Sequence, residues 1–365
     1  MKRILAWTFA LVMILSAFGC TAVPAAEETA PEAATRVFTD SVGREVDVPA
    51  TIDKIAVSGP LAQIVLFALC PEKFVGIASA WSAQAEEYLP AEFFRLPELG
   101  QLYGGKGELN LETLLASGAQ VVIDVGEPKK TIVEDLDALQ EQTGIPFVHV
   151  TALTATMGDA YRKLGDLVGK EEAAEVLANY CDAIYAEAAR MVSELPEKAN
   201  LLYITGAEGL NVIAKGSYHA EVIDLLSNNL AVVDEPSSKG TGNEVDMEQI
   251  LKWNPDVILF APGSIYATVG EDKNWETITA IQTGHYYEVP FGPYNWMGFP
   301  PSVQRYLGVL WMGKLLYPEE AQYDLYNAVH EYYNLFYHTD LTREQYDALV
   351  ANSIGVQEAA LAPAA

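Results

Sequence analysis

The longest regular pattern of apolar and polar positions covers residues 170–194. Apolar side chains recur there every three to four positions, and Glu, Asp and Arg fill the positions between them. This spacing places one apolar stripe along a helix, with a charged face opposite. Because Gly169 ends the preceding helical pattern and Pro196 follows this one, the pattern predicts a single helix about 37 Å long. A helix of that length can span two small domains.

Two matching segments flank this helix. Residues 110–123 have the pattern of a short helix followed by a buried strand, and residues 246–259 repeat it. Short apolar runs alternate with helical patterns on both sides, which is typical of parallel βαβ units. Strands are predicted at residues 54–57, 74–78, 121–125, 147–150, 200–205, 256–260 and 286–289. The pattern therefore predicts an α/β protein with two Rossmann-like lobes joined by a single long helix.

The start of the chain has the features of a signal peptide. Two basic residues precede an apolar run that is short for a membrane-spanning helix. Gly19 and Cys20 end this run and resemble a bacterial lipobox, in which Cys20 would carry lipid and begin the mature chain. Ordinary cleavage by signal peptidase is the alternative. The following segment, rich in Ala, Glu and Pro, is expected to form a flexible tether.

These patterns predict an order of segments along the chain. They are a signal peptide at residues 1–19, a lipid-anchored flexible tether at 20–35, an N-terminal α/β lobe at 36–155, linking helices at 156–196, a C-terminal α/β lobe at 197–318, and a C-terminal helical extension and tail at 319–365. The extension includes a Tyr-rich helical pattern and a capping box opened by Thr342. No role for the extension follows from its sequence.

The chain is strongly acidic. Its formal charge is −28, and removal of Lys2 and Arg3 with the signal peptide changes it to −30. This charge argues against nucleic acid and anionic lipid as partners, so membrane contact is expected through the lipid anchor only. Cys70 and Cys181 lie in apolar helical patterns without CxxC spacing or a neighbouring histidine. They are therefore expected to be buried thiols.

The motifs of common enzymes are absent from the sequence. The histidines are scattered, and neither HExxH nor GxSxG occurs. We therefore expect ligand binding without catalysis and without a resident cofactor, with a secreted enzyme as a less favoured alternative. A receptor for a bare transition-metal ion is another alternative, but only Glu127 and His219 are suitably placed as ligands. The Gly-rich turns at residues 104–107 and 240–242 lack the spacing of a nucleotide-binding loop.

The order of several short motifs resembles a known family. The chain resembles, over residues 36–318, the substrate-binding proteins of ABC importers for iron–siderophore, haem and cobalamin. The resemblance implies a class III periplasmic-binding-protein fold, a ligand cleft between the lobes and docking to a permease dimer with its ATPase. The motifs that carry it, besides the long helix, are residues 38–46, 54–58, 110–112, 246–249 and 295–305.

The implied ligand is a metal chelate, with an iron–siderophore favoured and haem or cobalamin as alternatives. Receptors of this family often meet acidic siderophores with arginines in the cleft. The stretch that follows Trp296 reads Met-Gly-Phe-Pro-Pro, without an arginine before the two prolines. This gap disfavours an acidic catecholate and favours a neutral or aromatic-faced chelate.

The predicted cleft residues lie in loops at equivalent edges of the two lobes. Aromatic rings can cover the faces of a planar ligand with little loss of entropy, and a few polar groups orient it. Any single aromatic residue could instead pack in the core, and Trp81 and Trp296 are the strongest candidates because each follows a strand. The candidates are Ser58, Trp81, Tyr103, Lys106 and Glu127 in the first lobe, and Tyr218, Thr241, Asn243, Tyr266, Tyr294 and Trp296 in the second.

Glu112 and Glu248 occupy the same place in the two repeated segments. Each lies two positions after a helix-capping residue, Asn110 or Asp246. The helix dipole favours acidic side chains in a first turn by about 0.3–1 kcal/mol, even without a partner. The resemblance implies, in addition, that the two carboxylates dock to arginines on a two-fold symmetric permease.

Overall fold

The computed structural model describes residues 34–103 and 108–353. Its strands are β1 (Thr35–Thr39), β2 (Glu45–Pro49), β3 (Ile55–Val57), β4 (Val121–Gly126), β5 (Phe147–Thr151), β6 (Asn200–Thr205), β7 (Asn211–Val212), β8 (Asn228–Asn229), β9 (Asn243–Glu244), β10 (Val257–Phe260) and β11 (Tyr286–Glu288). Its α-helices are α1 (Pro60–Leu69), α2 (Leu111–Ser117), α3 (Ile132–Thr143), α4 (Met157–Val168), α5 (Glu171–Ser193), α6 (Glu221–Leu226), α7 (Met247–Trp253), α8 (Tyr266–Val269), α9 (Thr279–Thr283), α10 (Arg305–Leu316), α11 (Leu325–Phe336) and α12 (Arg343–Leu349).

Several predicted features lie outside the described residues. They are the signal peptide, Cys20, most of the tether, Lys106 and the end of the C-terminal tail. Within the described part of the chain, no helix is both long and apolar enough to cross a membrane.

The first lobe is built on a parallel sheet with the strand order β3-β4-β5. Ile123 of β4 pairs with Val57 on one side and with Val148 on the other. Every residue of β3 and β4 is buried, as expected for strands covered on both faces. The strands predicted at residues 54–57, 121–125 and 147–150 are therefore confirmed.

The prediction of a strand at residues 74–78 is wrong. This segment forms only isolated bridges, from Phe74 to Ile55 and from Ile77 to Glu98. Its two ends therefore pair with different neighbours, and neither pairing extends into a ladder.

The second lobe contains a larger sheet with the order β11-β10-β6-β7-β9, and β8 also pairs with β6. Leu259 of β10 pairs in parallel with Tyr203 of β6 and with Tyr287 of β11. These central strands confirm the predictions at residues 200–205, 256–260 and 286–289. The short antiparallel strands β7 and β9 extend one edge and are absent from the predicted pattern.

Helix α5 is the predicted long helix. Its 23 residues correspond to about 35 Å. Gly169 ends α4 with a left-handed φ of 67°, which allows the chain to turn directly into α5. Leu177, Cys181 and Met191 lie on its buried stripe, whereas Val176 is 54% exposed. Two α/β lobes joined by this helix confirm the predicted fold class.

The last two helices, α11 and α12, contact both lobes. On the first lobe, His338 Nε2 lies 3.1 Å from the Phe67 carbonyl oxygen, and Gln345 Nε2 donates to the Glu87 carbonyl. On the second lobe, the Tyr333 hydroxyl donates to the carbonyl of Gly292. The extension therefore bridges the two lobes on the side where it packs.

Candidate functional site

The two lobes meet through hydrogen bonds between second-lobe side chains and the first-lobe residues Ala152 and Thr154. The Tyr218 hydroxyl donates to the Ala152 carbonyl at 2.8 Å, and the Tyr306 hydroxyl donates to the Thr154 carbonyl at 2.6 Å. The backbone N–H and the hydroxyl of Thr154 both donate to Glu221 Oε2, at 2.8 and 2.7 Å. These contacts join the loop after β5 to the region from Tyr218 to α6 and to Tyr306 of α10.

Arg305, the first residue of α10, has a side chain that is only 1% exposed. Its guanidinium Cζ lies 4.6 Å from the centre of the Tyr218 ring, within the range of a cation–π contact. Its Nη1 donates to the Tyr218 carbonyl at 2.8 Å and lies 3.0 Å from Glu221 Oε2. One nitrogen of the guanidinium therefore supports the inter-lobe contact.

The other two nitrogens of Arg305 are buried without an acceptor. Among the described residues, neither Nε nor Nη2 has a hydrogen-bond partner, and the same holds for the buried hydroxyl of Ser217. A buried donor left unpaired costs about 1–3 kcal/mol, and more when it is charged. Nε and Nη2 form the edge of the guanidinium that can hold two oxygen atoms side by side. The arrangement can therefore bind an anion.

His219 follows Tyr218 and is also buried. Its Nε2 lies 3.3 Å from the Ser238 carbonyl oxygen. Burial lowers the pKa of the imidazole below its usual value, and the positive charges of Arg305 and Lys129 lower it further. Burial also raises the pKa of the Tyr218 hydroxyl to about 12. Both groups are therefore neutral near pH 7, and Arg305 carries the positive charge of this cluster.

A cavity of about 500 Å³ lies beside this cluster. Its wall is formed by loops of both lobes and by Tyr185 of α5, and Arg305 is not among its lining residues. Two residues predicted for the ligand cleft, Glu127 of the first lobe and Tyr218 of the second, line it together. Its wall also contains Thr154, Ser217 and Glu221.

A buried polar chain crosses the strands of the first lobe. The Ser58 hydroxyl donates to Asp124, whose other carboxylate oxygen lies 2.6 Å from His149 Nδ1, and His149 Nε2 lies 3.1 Å from the Thr151 hydroxyl. The carboxylate stands between the hydroxyl and the imidazole, so Ser58 does not contact the histidine that would activate it as a nucleophile. Ser58 is 3% exposed, and its hydroxyl serves this chain rather than the cleft surface predicted for it.

Trp81 and Tyr294, two further candidates, do lie together. Their ring centres are 6.2 Å apart, and both residues are half-buried. The Trp81 ring also packs against Phe67, and the Tyr294 ring against Tyr337 of the C-terminal extension. This aromatic cluster joins the first lobe, the second lobe and the extension.

Trp296 is not at the cleft surface. Its side chain is fully buried in the main hydrophobic core, and its indole nitrogen lies 3.4 Å from the Gly292 carbonyl oxygen. The segment around it folds inward because isolated bridges join Asn295 to Phe291 and to Phe299. The prediction that Trp296 lines the cleft is therefore corrected.

The remaining candidates have local partners. The Tyr103 hydroxyl donates to Asp135 at 2.7 Å. The Asn243 side chain stabilises its own loop, because it accepts a hydrogen bond from the backbone N–H of Ser237 and donates one to the carbonyl of Glu235. The structure does not bring these two side chains into the cavity, and their roles in ligand binding stay predictions.

Thr241 and Tyr266 belong to the second lobe. The Thr241 carbonyl accepts a hydrogen bond from Thr205, and its side chain is exposed. The Tyr266 ring packs at 5.9 Å from Tyr286 in the smaller core of this lobe. Neither residue lines the cavity at Tyr218.

The carboxylates of Glu112 and Glu248 are exposed in the first turns of α2 and α7. The helices begin as predicted, because Asn110 accepts from the Thr113 N–H at 3.0 Å and Asp246 accepts from the Gln249 N–H at 2.8 Å. In residues 34–103 and 108–353, no cluster of three or more His, Cys, Asp or Glu side chains is arranged to hold a metal ion.

A family model described as "Periplasmic binding protein" matches residues 79–292, more than half of the chain. The chain belongs to the periplasmic binding protein family. It is similar to an ABC transporter solute binding protein from Sulfurospirillum deleyianum DSM 6946, with 28% identity and a TM-score of 0.79 over 87% of this chain and 99% of that one. A periplasmic solute binding protein from Veillonella parvula DSM 2008 is 26% identical, with a TM-score of 0.71 over 87% of this chain and 98% of that one.

A curated relative is also similar along most of the chain. The molybdate-binding protein MolA of Haemophilus influenzae is 24% identical over 336 residues, which cover 84% of this chain and 92% of the relative. The family consists of solute-binding transport proteins rather than enzymes, and its members act outside the cytoplasm with the permease and ATPase of an ABC importer. The resemblance inferred from the sequence motifs is thereby confirmed.

Proposed function

We propose that this periplasmic binding protein captures a compact oxyanion of the molybdate class between its lobes and delivers it to an ABC importer. The observation that carries the proposal is the buried Nε and Nη2 edge of Arg305, which has no acceptor among the described residues. The similarity to a molybdate-binding protein along most of both chains supports it.

The guanidinium suits this task for two reasons. Arginine stays protonated at any physiological pH, and its Nε and Nη2 groups match the spacing of two oxygens on one anion. The third nitrogen, Nη1, is held by the Tyr218 carbonyl and by Glu221. The side chain is therefore oriented before the anion arrives, which lowers the entropy lost on binding.

Closure of the lobes is linked to the same residues. Glu221 contacts both Arg305 and Thr154 of the first lobe, and Tyr218 donates to the carbonyl of Ala152. An anion that binds Arg305 therefore meets a segment already engaged with the opposite lobe. Separation of the lobes would break the bonds of Glu221 to Thr154 and of Tyr218 to Ala152.

A metal chelate, with an iron–siderophore first and haem or cobalamin after it, is the second candidate. It is favoured by the half-buried rings of Trp81 and Tyr294, which come from different lobes and lie 6.2 Å apart. Aromatic faces of this kind suit a large planar or aromatic ligand. The stretch between Trp296 and the two prolines contains no arginine, which disfavours an acidic chelate. Arg305 supplies the positive charge that this stretch lacks.

Isothermal titration of the purified chain separates the two candidates. Molybdate, tungstate, sulfate and phosphate are titrated beside ferric siderophores, haem and cobalamin. One-to-one binding of molybdate or tungstate, with weaker binding of the chelates, is expected. Tight binding of a chelate together with no heat from any oxyanion would replace the first candidate by the second.

The proposal includes the lipid anchor at Cys20 and docking through Glu112 and Glu248. Two exposed carboxylates at equivalent places, one on each lobe, can pair with arginines on the two halves of a permease. Transport should fall for Glu112→Ala or Glu248→Ala and fall further for the double variant, while ligand affinity stays unchanged. Full transport by the double variant would refute the docking role.

A further inference from the structure

The cavity beside Tyr185 differs in its chemistry from the anion site at Arg305. Its wall contains Glu127 of the first lobe together with Glu221 and Asp224 of the second. In the described part of the chain, its lining residues include no arginine, lysine or histidine. Its volume of about 500 Å³ is typical of sites for small molecules, which measure roughly 300–1,000 Å³. The cavity is therefore a candidate site of its own.

The carboxylate of Asp224 is held by neutral donors. It accepts hydrogen bonds from the Gly216 N–H at 2.7 Å and from Asn229 Nδ2 at 2.9 Å. Lys198 Nζ donates to the main-chain carbonyls of Asp224 and Leu225, and these bonds do not involve the carboxylate. The neutral donors fix the orientation of the carboxylate without cancelling its charge, so the cavity wall holds an oriented anionic acceptor.

Glu127 supplies an acceptor on the first lobe. Its carboxylate pairs with Lys129 at 3.2 Å, but the two side chains are 42% and 40% exposed. Exposed ion pairs of this kind contribute little, because water and salt screen them. A cation in the cavity can therefore compete with Lys129 for Glu127, and the cavity offers carboxylates from both lobes.

Ser217 provides an independent sign of a ligand. It lines the same cavity and is only 9% exposed, and its hydroxyl has no hydrogen-bond partner among the described residues. Buried hydroxyls are nearly always paired, because an unpaired one loses its bonds to water without replacement. A polar molecule in the cavity would supply the missing partner.

The walls fit nitrogen donors better than oxygen acceptors. Ionised carboxylates only accept hydrogen bonds, whereas an ammonium group offers three donors and the opposite charge. Tyr185 and Leu225 add apolar surface for a short carbon chain. A bare metal ion does not fit, since residues 34–103 and 108–353 contain no group of three or more His, Cys, Asp or Glu side chains that could hold one.

We propose that this cavity binds a small aliphatic diamine, with one ammonium group at the Glu127 carboxylate and the other at Asp224 and Ser217. The diamine would contact both lobes and the linking helix α5 at once. It would therefore stabilise the arrangement in which Tyr218 and Glu221 contact the first lobe.

The diamine also regulates the oxyanion site, and this part of the inference rests on the proposed function. A ligand that favours the joined lobes favours every other ligand that binds between them, and the coupling is reciprocal. The opposite charges of the two ligands act in the same direction. Saturation with the diamine should raise the affinity for molybdate about fivefold.

The test is isothermal titration of the purified full chain with putrescine, a linear diamine. About 150 mM sodium chloride screens loose binding to the acidic surface. Putrescine should bind one to one, and its diol analogue, with hydroxyls in place of both amino groups, should give no heat. Ser217→Ala and Glu127→Gln should each weaken putrescine binding about three- to tenfold. Glu187→Gln alters an exposed carboxylate outside this cavity and should bind putrescine like the wild type.

Each contrary outcome refutes a defined part of the inference. Equal putrescine binding by the wild type, Ser217→Ala and Glu127→Gln would mean adventitious binding to the acidic surface and would overturn the site. Equal affinity for the diol would overturn the cationic class of ligand, and an unchanged molybdate affinity with putrescine bound would overturn the coupling. If the wild type binds molybdate but not putrescine, the diamine site fails and the proposed function stands. If it binds putrescine but not molybdate, the proposed function fails and the diamine site stands.

Discussion

The ring of Tyr218 lies against the guanidinium of Arg305, with Cζ 4.6 Å from the ring centre. The same tyrosine accepts from Arg305 Nη1 through its carbonyl and donates through its hydroxyl to Ala152 of the opposite lobe. One residue therefore orients the buried cation and ties it to the lobe interface. A change in the relative position of the lobes would therefore move the tyrosine that holds the guanidinium.

Glu221→Ala should destabilise the protein. Glu221 Oε2 lies 3.0 Å from Arg305 Nη1 and accepts two hydrogen bonds from Thr154. Its removal leaves a buried guanidinium without its carboxylate, which should lower the free energy of unfolding by about 2–3 kcal/mol. Urea denaturation measures the loss. Glu187→Ala, which breaks an exposed pair with Arg190, should change the same quantity by less than about 1 kcal/mol. Equal losses in both variants would contradict the role of Glu221.

The stability of the protein should fall when the pH drops below about 6.5, in part because of His219. Burial lowers the pKa of this imidazole in the folded state. Between that lowered pKa and about 6.5, the unfolded chain binds a proton that the folded chain does not, so the free energy of unfolding decreases as the pH falls. Above this window the contribution is constant.

The variant His219→Gln should lose less stability than the wild type between about pH 7.5 and about pH 5.5. Denaturation curves at the two pH values provide the comparison. The exposed His285 supplies the control, since His285→Gln should follow the wild type. The same pH dependence in all three proteins would exclude His219 as a contributor.

Cys20→Ser should release the protein from the membrane. The lipobox-like sequence predicts that Cys20 carries the lipid anchor, whereas Cys70 and Cys181 are buried free thiols in the folded body. Fractionation of cells should find Cys20→Ser in the soluble fraction and Cys70→Ala still with the membrane. Membrane association of both variants would count against a lipid anchor at Cys20.

The fold follows from the sequence because its signals are local. The 3.6-residue period of α5 and the short buried runs of the central strands each reflect burial within one element. Residues 74–78 show the limit of this reasoning. They form an apolar run of strand length, but whether such a run joins a ladder depends on the neighbours that tertiary packing supplies.

The candidate site is harder to predict from the sequence than the fold, because it forms only where residues of the two lobes come together. Arg305 opens the apolar pattern of α10 four positions after the second of the two prolines, a place that resembles an ordinary helix start. The signal that could have revealed it is a single arginine at the head of a helix whose other side chains are almost all buried. Trp296 shows the opposite error, because a residue predicted to line the cleft is buried. It follows a strand in the sequence, but the folding of its own segment covers it.

Molybdate binding by the variant Arg305→Lys is the decisive test of the proposed anion site. Lysine keeps the positive charge near Glu221 but lacks the Nε and Nη2 edge that can hold two oxygens. Arg190→Lys on the surface of α5 is the matched control. Isothermal titration should show wild-type affinity for Arg190→Lys and binding about ten- to hundredfold weaker for Arg305→Lys, with unchanged circular dichroism in both. Molybdate affinity in Arg305→Lys equal to that of the wild type would contradict the assignment of this arginine as the anion-binding residue.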